Sequence, residues 1–251
     1  MLKIILTGCN GKMGRVITDI INKRNDASIV AGIDLDISQN GPFPVFNSFN
    51  DITVEADVIV DFSNPAVLSR MLEYAKAKKL GAVIATTGFS DEQIESIKAA
   101  STEIPVFFSF NMSLGINLLA ELCRKAATIL DGFDIEIIEK HHNQKIDAPS
   151  GTAILLANEI NDELNGKMTY EYDRHSKREK RTATEIGIHA VRGGTIVGEH
   201  EVIFAGRDEI ITLSHSARSK EVFAVGAVNA AFFLNGKAPA LYSMKELVLE
   251  K

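Results

Sequence analysis

An apolar run, residues 2–7 (LKIILT), ends in three evenly spaced glycines, Gly8, Gly11 and Gly14, and an amphipathic pattern over 12–23 (KMGRVITDIINK) follows at once. A strand that must turn sharply into a helix has few ways to do so. Glycines permit the tight turn, and they bring bare N–H groups to a helix start, where the dipole is positive and a phosphate is welcome. The spacing is G-x-x-G-x-x-G, a variant of the dinucleotide fingerprint. A second strand-like run, 28–33 (SIVAGI), ends at Asp34, 20 residues after Gly14. A carboxylate there can accept from both hydroxyls of an adenosine ribose. The plainer reading is a glycine-rich connection with an exposed aspartate, but strand, turn, helix and acid together favour a dinucleotide. The turn lacks the Gly-Lys-Ser/Thr ending of a P-loop, which argues against an NTPase.

The rhythm continues in the same sense. Strand-like runs at 57–62 (DVIVDF), 81–86 (GAVIAT) and 105–110 (PVFFSF) alternate with helical patterns over Pro65 to Lys79 and from Asp91 to a stop before Pro105. Such alternation over about 110 residues predicts βαβ units and a doubly wound parallel sheet. Ligands of open sheets bind at the carboxyl ends of strands, which directs attention to the loops Asp61–Pro65, Ala85–Gly88 and Ser109–Met112. Taken singly, each loop is ordinary turn chemistry. Beyond Asn111 the pattern changes. A helix fits Leu114 to Leu130, an alternating strand 133–140 (FDIEIIEK), and a second helix 152–164. Strand-like runs separated by glycines fill 184–215 and suggest a mostly antiparallel sheet. Residues 220–234 (KEVFAVGAVNAAFFL) read as a helix that is hydrophobic on most sides, expected to return to the first domain.

Composition narrows the function classes. The net charge of −6 gives no field that would draw nucleic acid or an anionic membrane, and basic residues are not interleaved with aromatics. The one basic cluster, Arg174, Lys177, Arg178, Lys180 and Arg181, is expected to be a solvated connection, with attraction of an anionic ligand as its alternative. Two cysteines, Cys9 and Cys123, suggest no disulfide framework. No apolar stretch reaches the length of a membrane span, and the N-terminal apolar run meets Gly8 too soon for a signal peptide. A cytoplasmic address follows by default.

The densest chemistry lies between Glu136 and Ala153 (EIIEKHHNQKIDAPSGTA), where two imidazoles and an amine precede a Ser-Gly-Thr helix start. On an extended chain His141 and His142 point to opposite faces and so serve different ends. The N–H groups of Ser150, Gly151 and Thr152 would form a carboxylate pocket near Lys145. All six histidines fall between 141 and 215. Adjacent histidines on a strand do not converge, however, and neither cysteine is near, so no metal site is expected.

This segment resembles the dihydrodipicolinate reductases (4-hydroxy-tetrahydrodipicolinate reductases) of lysine and diaminopimelate biosynthesis. The family pattern E-[IV]-x-E-x-H-x-x-x-K-x-D-x-P-S-G-T-A is met in full from Glu136 to Ala153. The likeness extends to the turn at 8–14, Asp61-Phe62-Ser63, Thr86-Thr87-Gly88, Asn111 and the stretch from Arg192 to His200, and so spans essentially the whole chain. It implies a Rossmann dinucleotide-binding domain over 1–112, with the tail 221–251 returning to it. A mixed α/β domain over 113–220 would carry an open sheet, bind substrate and assemble a homotetramer. By position, His141 is the family's proton donor/acceptor and Lys145 its proton donor. His142, Ser150, Gly151, Thr152 and Thr87 are the expected substrate contacts. Gly8, Cys9, Asn10, Gly11, Lys12, Met13, Asp34, Ala85, Thr86, Thr87, Ser109, Phe110, Asn111 and Met112 are the expected cofactor contacts. The implied reaction is hydride transfer from NADH or NADPH to a cyclic dicarboxylate, with overall loss of water.

Two departures bear on the cofactor. Where relatives often carry an arginine after the ribose-binding acid, this chain has Leu35, and Lys12 stands where some carry arginine. NADH is therefore the expected preference. A semialdehyde dehydrogenase would need an activated cysteine, for which Cys123 has no evident neighbours. A non-catalytic NAD-binding regulator should have lost His141, Lys145 or the Ser-Gly-Thr start, and all remain.

Overall fold

A computed structural model of the chain describes residues 1–38 and 41–250. In chain order the elements are β1 (Leu2–Thr7), α1 (Lys12–Asn22), β2 (Ala27–Ile33), β3 (Val45–Phe46), β4 (Val58–Asp61), α2 (Leu68–Lys78), β5 (Gly81–Ile84), α3 (Asp91–Ala100) and β6 (Pro105–Phe108). There follow α4 (Leu114–Ile129), β7 (Asp134–His141), α5 (Gly151–Glu163), β8 (Thr169–Glu171), β9 (Glu185–Arg192), β10 (Gly198–Ala205), β11 (Ile210–Ala217), α6 (Glu221–Leu234), β12 (Ala240–Tyr242) and α7 (Met244–Leu249). The chain divides into two compact units, Met1–Leu114 with Glu221–Lys251, and Gly115–Lys220. Among the described residues no helix is long and apolar enough to cross a membrane.

The first unit is built on a seven-stranded sheet in the order β12-β6-β5-β4-β1-β2-β3, parallel at every pairing. Its strands are apolar on both faces because both are covered. Within β1, Ile4 and Leu6 join one core with α1 and α6, while Ile5 joins the other with α2 and α3. The same alternation splits Val58 and Val60 from Ile59, and Val83 from Ala82 and Ile84. From β1 the chain winds outward through β2 to β3, then crosses back to lay β4 on the other side of β1. That reversal is the switch point at which open α/β sheets leave a crevice. Gly8 follows β1, Asp34 follows β2, and Ser63 and Asn64 follow β4, all at this end of the sheet.

The second unit holds a five-stranded sheet in the order β11-β10-β7-β9-β8. The expectation of a mostly antiparallel sheet is corrected here: β10 runs antiparallel to β11 and β7, but β7–β9 and β8–β9 are parallel. Strands β9 and β10 do not form a hairpin because β7 lies between them. One sheet face packs on α4 and α5 through Ile135, Ile137, Ile186, Ile188, Val202 and Phe204. Along β7, burial alternates strictly, so Glu139 and His141 continue the inward row begun by Ile135 and Ile137.

Candidate functional site

Two groups of expected site residues lie one on each unit. In the first unit, Gly8 adopts a left-handed φ of 71°, and a side chain there would run into the Phe62 carbonyl. A side chain at Gly14 would strike the Gly8 carbonyl oxygen. Gly11 caps α1 with no side-chain acceptor for the first N–H groups of the helix, which leaves the helix start suited to an anion. Asp34 accepts from the Asn10 N–H (2.9 Å), and Asn10 in turn donates to the Asp36 carbonyl (2.6 Å). Gly8, Asn10, Gly11 and Asp34 line a cavity of about 1100 Å³ with Leu35, Ser63, Asn64 and Arg70. A turn open only to glycine, an uncapped helix start and an adjoining carboxylate fit the pyrophosphate and ribose of a dinucleotide.

The other expected cofactor contacts do not line this cavity. Cys9 is buried, and burial chiefly, with the Asp34 charge second, pushes its thiol up to about 11. Only its backbone can serve a ligand. Lys12 and Met13 are the first two residues of α1. Ala85, Thr86 and Thr87 follow β5. Thr86 is buried with its hydroxyl accepting from the Ser63 N–H at 2.8 Å, whereas Thr87 is exposed. Ser109 to Met112 follow β6, with Phe110 exposed and Asn111 and Met112 buried. Behind these loops Asp61 is fully buried. Burial raises its pKa, against hydrogen bonds from Ser63, Thr7 and Thr86. The aspartate braces the ends of β1, β4 and β5.

In the second unit the centre is Glu139. Its carboxylate is inaccessible to solvent and accepts from four directions. Arg192 donates from Nη1 and Nη2 at 2.7 Å each, His141 approaches through Nδ1 at 2.6 Å, and the Ser150 N–H lies at 2.9 Å. Strand register explains the convergence: Arg192 lies opposite His141 across β7–β9, and His200 lies opposite Glu139 across β7–β10. Burial works against the charge on Glu139, but the bonds from Arg192, His141 and Ser150 outweigh it and hold the carboxyl below the usual range. His200 packs edge-to-face on His141, ring centroids 5.2 Å apart, with Nε2 3.0 Å from the Ser150 hydroxyl. Burial first, then His141, depress its pKa to about 4, so His200 is neutral.

Ser150 caps α5, its hydroxyl accepting from the Ala153 N–H at 3.2 Å. Above Gly151 there is open space. Lys145 projects from the loop after β7 and pairs with Asp147 at 2.7 Å. The Asp147 carboxyl is held below its usual range by Lys145 foremost and, more weakly, by the Gly151 N–H. An ammonium and a helix-start N–H thus already share a carboxylate, which is what a carboxylate pocket requires. His142, just past the strand end, is half-buried, and Thr152 sits in the first turn of α5. Of the basic cluster, Lys177, Arg178 and Lys180 are exposed and Arg174 and Arg181 half-buried; Arg174 pairs with Glu185, Lys177 with Glu171, and Arg181 with Asp134 and Glu136.

Sequence reasoning did not single out Glu139, Arg192, His200 or Arg70. The alternation of β7 carried a signal for Glu139, a charged residue on an inward position. Arg70 carries no local signal, because α2 delivers it to the cavity beside Asp34 from 36 residues away.

Comparison with known proteins agrees with this geometry. Residues 2–112 match the family model "Dihydrodipicolinate reductase, N-terminus", and residues 115–248 match "Dihydrodipicolinate reductase, C-terminus". A 4-hydroxy-tetrahydrodipicolinate reductase of Caldanaerobacter subterraneus subsp. tengcongensis is 52% identical over 99% of this chain and 98% of its own. One of Clostridium tetani is 51% identical over 97% and 96%. The solved dipicolinate-bound dihydrodipicolinate reductase from Paenisporosarcina sp. TG-14 superposes with a TM-score of 0.82 at 25% identity, covering 97% of each chain. The chain belongs to the dihydrodipicolinate reductase family.

Proposed function

We propose that the chain catalyses the NAD(P)H-dependent reduction of 4-hydroxy-tetrahydrodipicolinate to tetrahydrodipicolinate, with loss of water, in lysine and diaminopimelate biosynthesis. The observation that carries this reading is the cluster at the end of β7, where His141, Lys145 and the start of α5 gather donors suited to a carboxylated ring. The nicotinamide supplies a hydride. The protein's part is to hold the ring carboxylates on Lys145, His142 and the N–H groups of Ser150 to Thr152, and to deliver a proton. Loss of the hydroxyl as water leaves a conjugated imine, and hydride addition turns it into an electron-rich enamine. Protonation by a cationic acid beside the ring, His141 or Lys145, completes the reduction, an effect of about 10²–10⁴-fold. Gly8 to Met13, Asp34, Ala85 to Thr87 and Ser109 to Met112 are the proposed cofactor contacts. The test is a coupled assay in which the condensation product of pyruvate and aspartate semialdehyde is supplied and cofactor oxidation is followed. No oxidation with either nucleotide overturns the assignment.

Within this reading NADH is the preferred cofactor. Asp34 accepts from ribose hydroxyls but repels a 2′-phosphate, and Leu35, fully exposed beside it, offers no cation. We expect kcat/KM to favour NADH by roughly tenfold, about 1.4 kcal/mol. Arg70, on the same cavity wall and paired with no carboxylate among the described residues, is the cation through which NADPH is still accepted. Arg70→Ala should widen the ratio and Leu35→Arg should narrow it. A wild type that favours NADPH would refute the role given to Asp34.

A further inference from the structure

We propose that Glu139 is a positioning residue that fixes the neutral ring of His141 in the Nδ1–H tautomer, leaving Nε2 as the nitrogen that gains and gives the exchangeable proton. The inference rests on the functional reading above, and its first measurement is made without substrate. Geometry supplies the argument. A carboxylate only accepts, so the nitrogen 2.6 Å from Glu139, Nδ1, must be the one that bears hydrogen. Arg192 grips both carboxylate oxygens and keeps them from turning, and the Ser150 N–H occupies the side of Oε1 away from the imidazole. Arg192 is itself anchored, donating to the carbonyls of Asp147 (2.6 Å) and Val191 (2.8 Å). On the far side of the ring stands Gly198, where any side chain would lie 3.1 Å from Nε2. That glycine keeps the working nitrogen uncrowded.

Around His141, Glu139 comes from its own strand, Arg192 from β9, His200 from β10, and the Lys145–Asp147 pair from the following loop. His200 is neutral, so Glu139 is the anion bonded to the ring. The same carboxylate accepts from Ser150, so the proton carrier and the start of α5 are held in one frame. A hydrogen-bonded partner of this kind orients an imidazole and fixes its tautomer.

Glu139→Gln tests the idea sharply because the site admits the amide in one orientation. Three of the four neighbours, Arg192 Nη1, Arg192 Nη2 and the Ser150 N–H, can only donate. The amide oxygen must therefore take the side facing Ser150 and Arg192 Nη2, and the NH2 group must point at His141. There it donates to Nδ1 and drives the ring to the Nε2–H tautomer. Imidazole 15N resonances of the full-length protein, recorded at alkaline pH where imidazoles are neutral, should show Nδ1–H in the wild type and Nε2–H in the variant. Turnover should fall by about 10²-fold with substrate KM changed less than about threefold. An Nε2–H ring in the wild type, or the same tautomer in both proteins, overturns the proposal. So does a variant whose turnover matches the wild type. If Glu139→Gln does not fold, the wild-type spectrum still decides, and Glu139→Gln/Arg192→Gln removes the unpaired buried cation while predicting the same loss of the Nδ1–H tautomer. A wild type without reductase activity sinks the functional reading and leaves the tautomer measurement standing on its own.

Discussion

The two residues proposed as proton carriers, His141 and Lys145, stand four residues apart in sequence but differ in surroundings. His141 is nearly enclosed and backed by Glu139, while Lys145 is more open and shares its charge with Asp147. An ammonium that already holds one carboxylate is well placed to exchange it for another, so Lys145 should both bind the ring and stabilise charge that develops on it. Lys145→Ala is expected to lower kcat by about 10²–10⁴-fold with NADH affinity nearly unchanged, since the amine serves the ring. His141→Ala should lose a comparable amount, and the double variant should lose less than the product of both if, as proposed, the two act on one proton transfer. Steady-state kinetics with fluorescence titration of NADH check this. A Lys145 variant with near-normal turnover would remove the residue from the catalytic list.

At the scale of elements, α6 shows how closely packing governs the loops. Seven of its residues are buried, and at Gly226 the helix passes so near the chain that an added Cβ would coincide with the Met112 carbonyl oxygen. The Ser109–Met112 loop, an expected cofactor contact, therefore has its position set by a glycine more than one hundred residues away. Gly226→Ala should destabilise the protein by about 2 kcal/mol, a fall in Tm of about 5 °C, and should raise the KM for NADH. A thermal melt matching the wild type would show that the helix can shift at little cost. The contrast between the legible and illegible parts of the fold is also a matter of elements. Strands β1, β2, β4, β5 and β6 announce themselves as apolar runs because both faces are covered. Strands β3, β8 and β12, two or three residues each, are too short to carry a period. The order of the second sheet was hidden because nothing in β9 or β10 says that β7 will come between them. For the same reason the motif from Glu136 to Ala153 disclosed His141 and Lys145 but not their supports: Arg192 and His200 reach Glu139 through strand register, which local sequence does not encode.

At the scale of the whole molecule, a buried imidazole ties stability to pH. Unfolded, His200 takes a proton as pH falls below 6.5; folded, it stays neutral until about 4. The unfolded state binds more protons in that window, so stability should fall as pH falls through it, by roughly 3 kcal/mol. Glu139, whose pKa is lowered, acts in the same direction but below 4.5. Urea unfolding at fixed protein concentration should show the slope, and His200→Gln should flatten it; a slope unchanged in the variant would place the effect elsewhere. Concentration must be fixed because a folded partner adds stability of its own. A partner is expected on the second sheet. One face is closed by α4 and α5, whereas the other carries Ile138 and Ile203 among Glu136, Lys140, Glu201 and Thr212, with Lys140 bridging to Glu201 at 2.6 Å. Aliphatics set among paired charges on an uncovered sheet suit a specific subunit contact better than open solvent. If this face carries the contact of the tetramer that the family resemblance implies, light scattering at micromolar concentration should report a tetramer, and Ile138→Asp with Ile203→Asp should yield smaller species that retain their secondary structure. A stable wild-type monomer, or a tetramer indifferent to both substitutions, would move the contact away from this face.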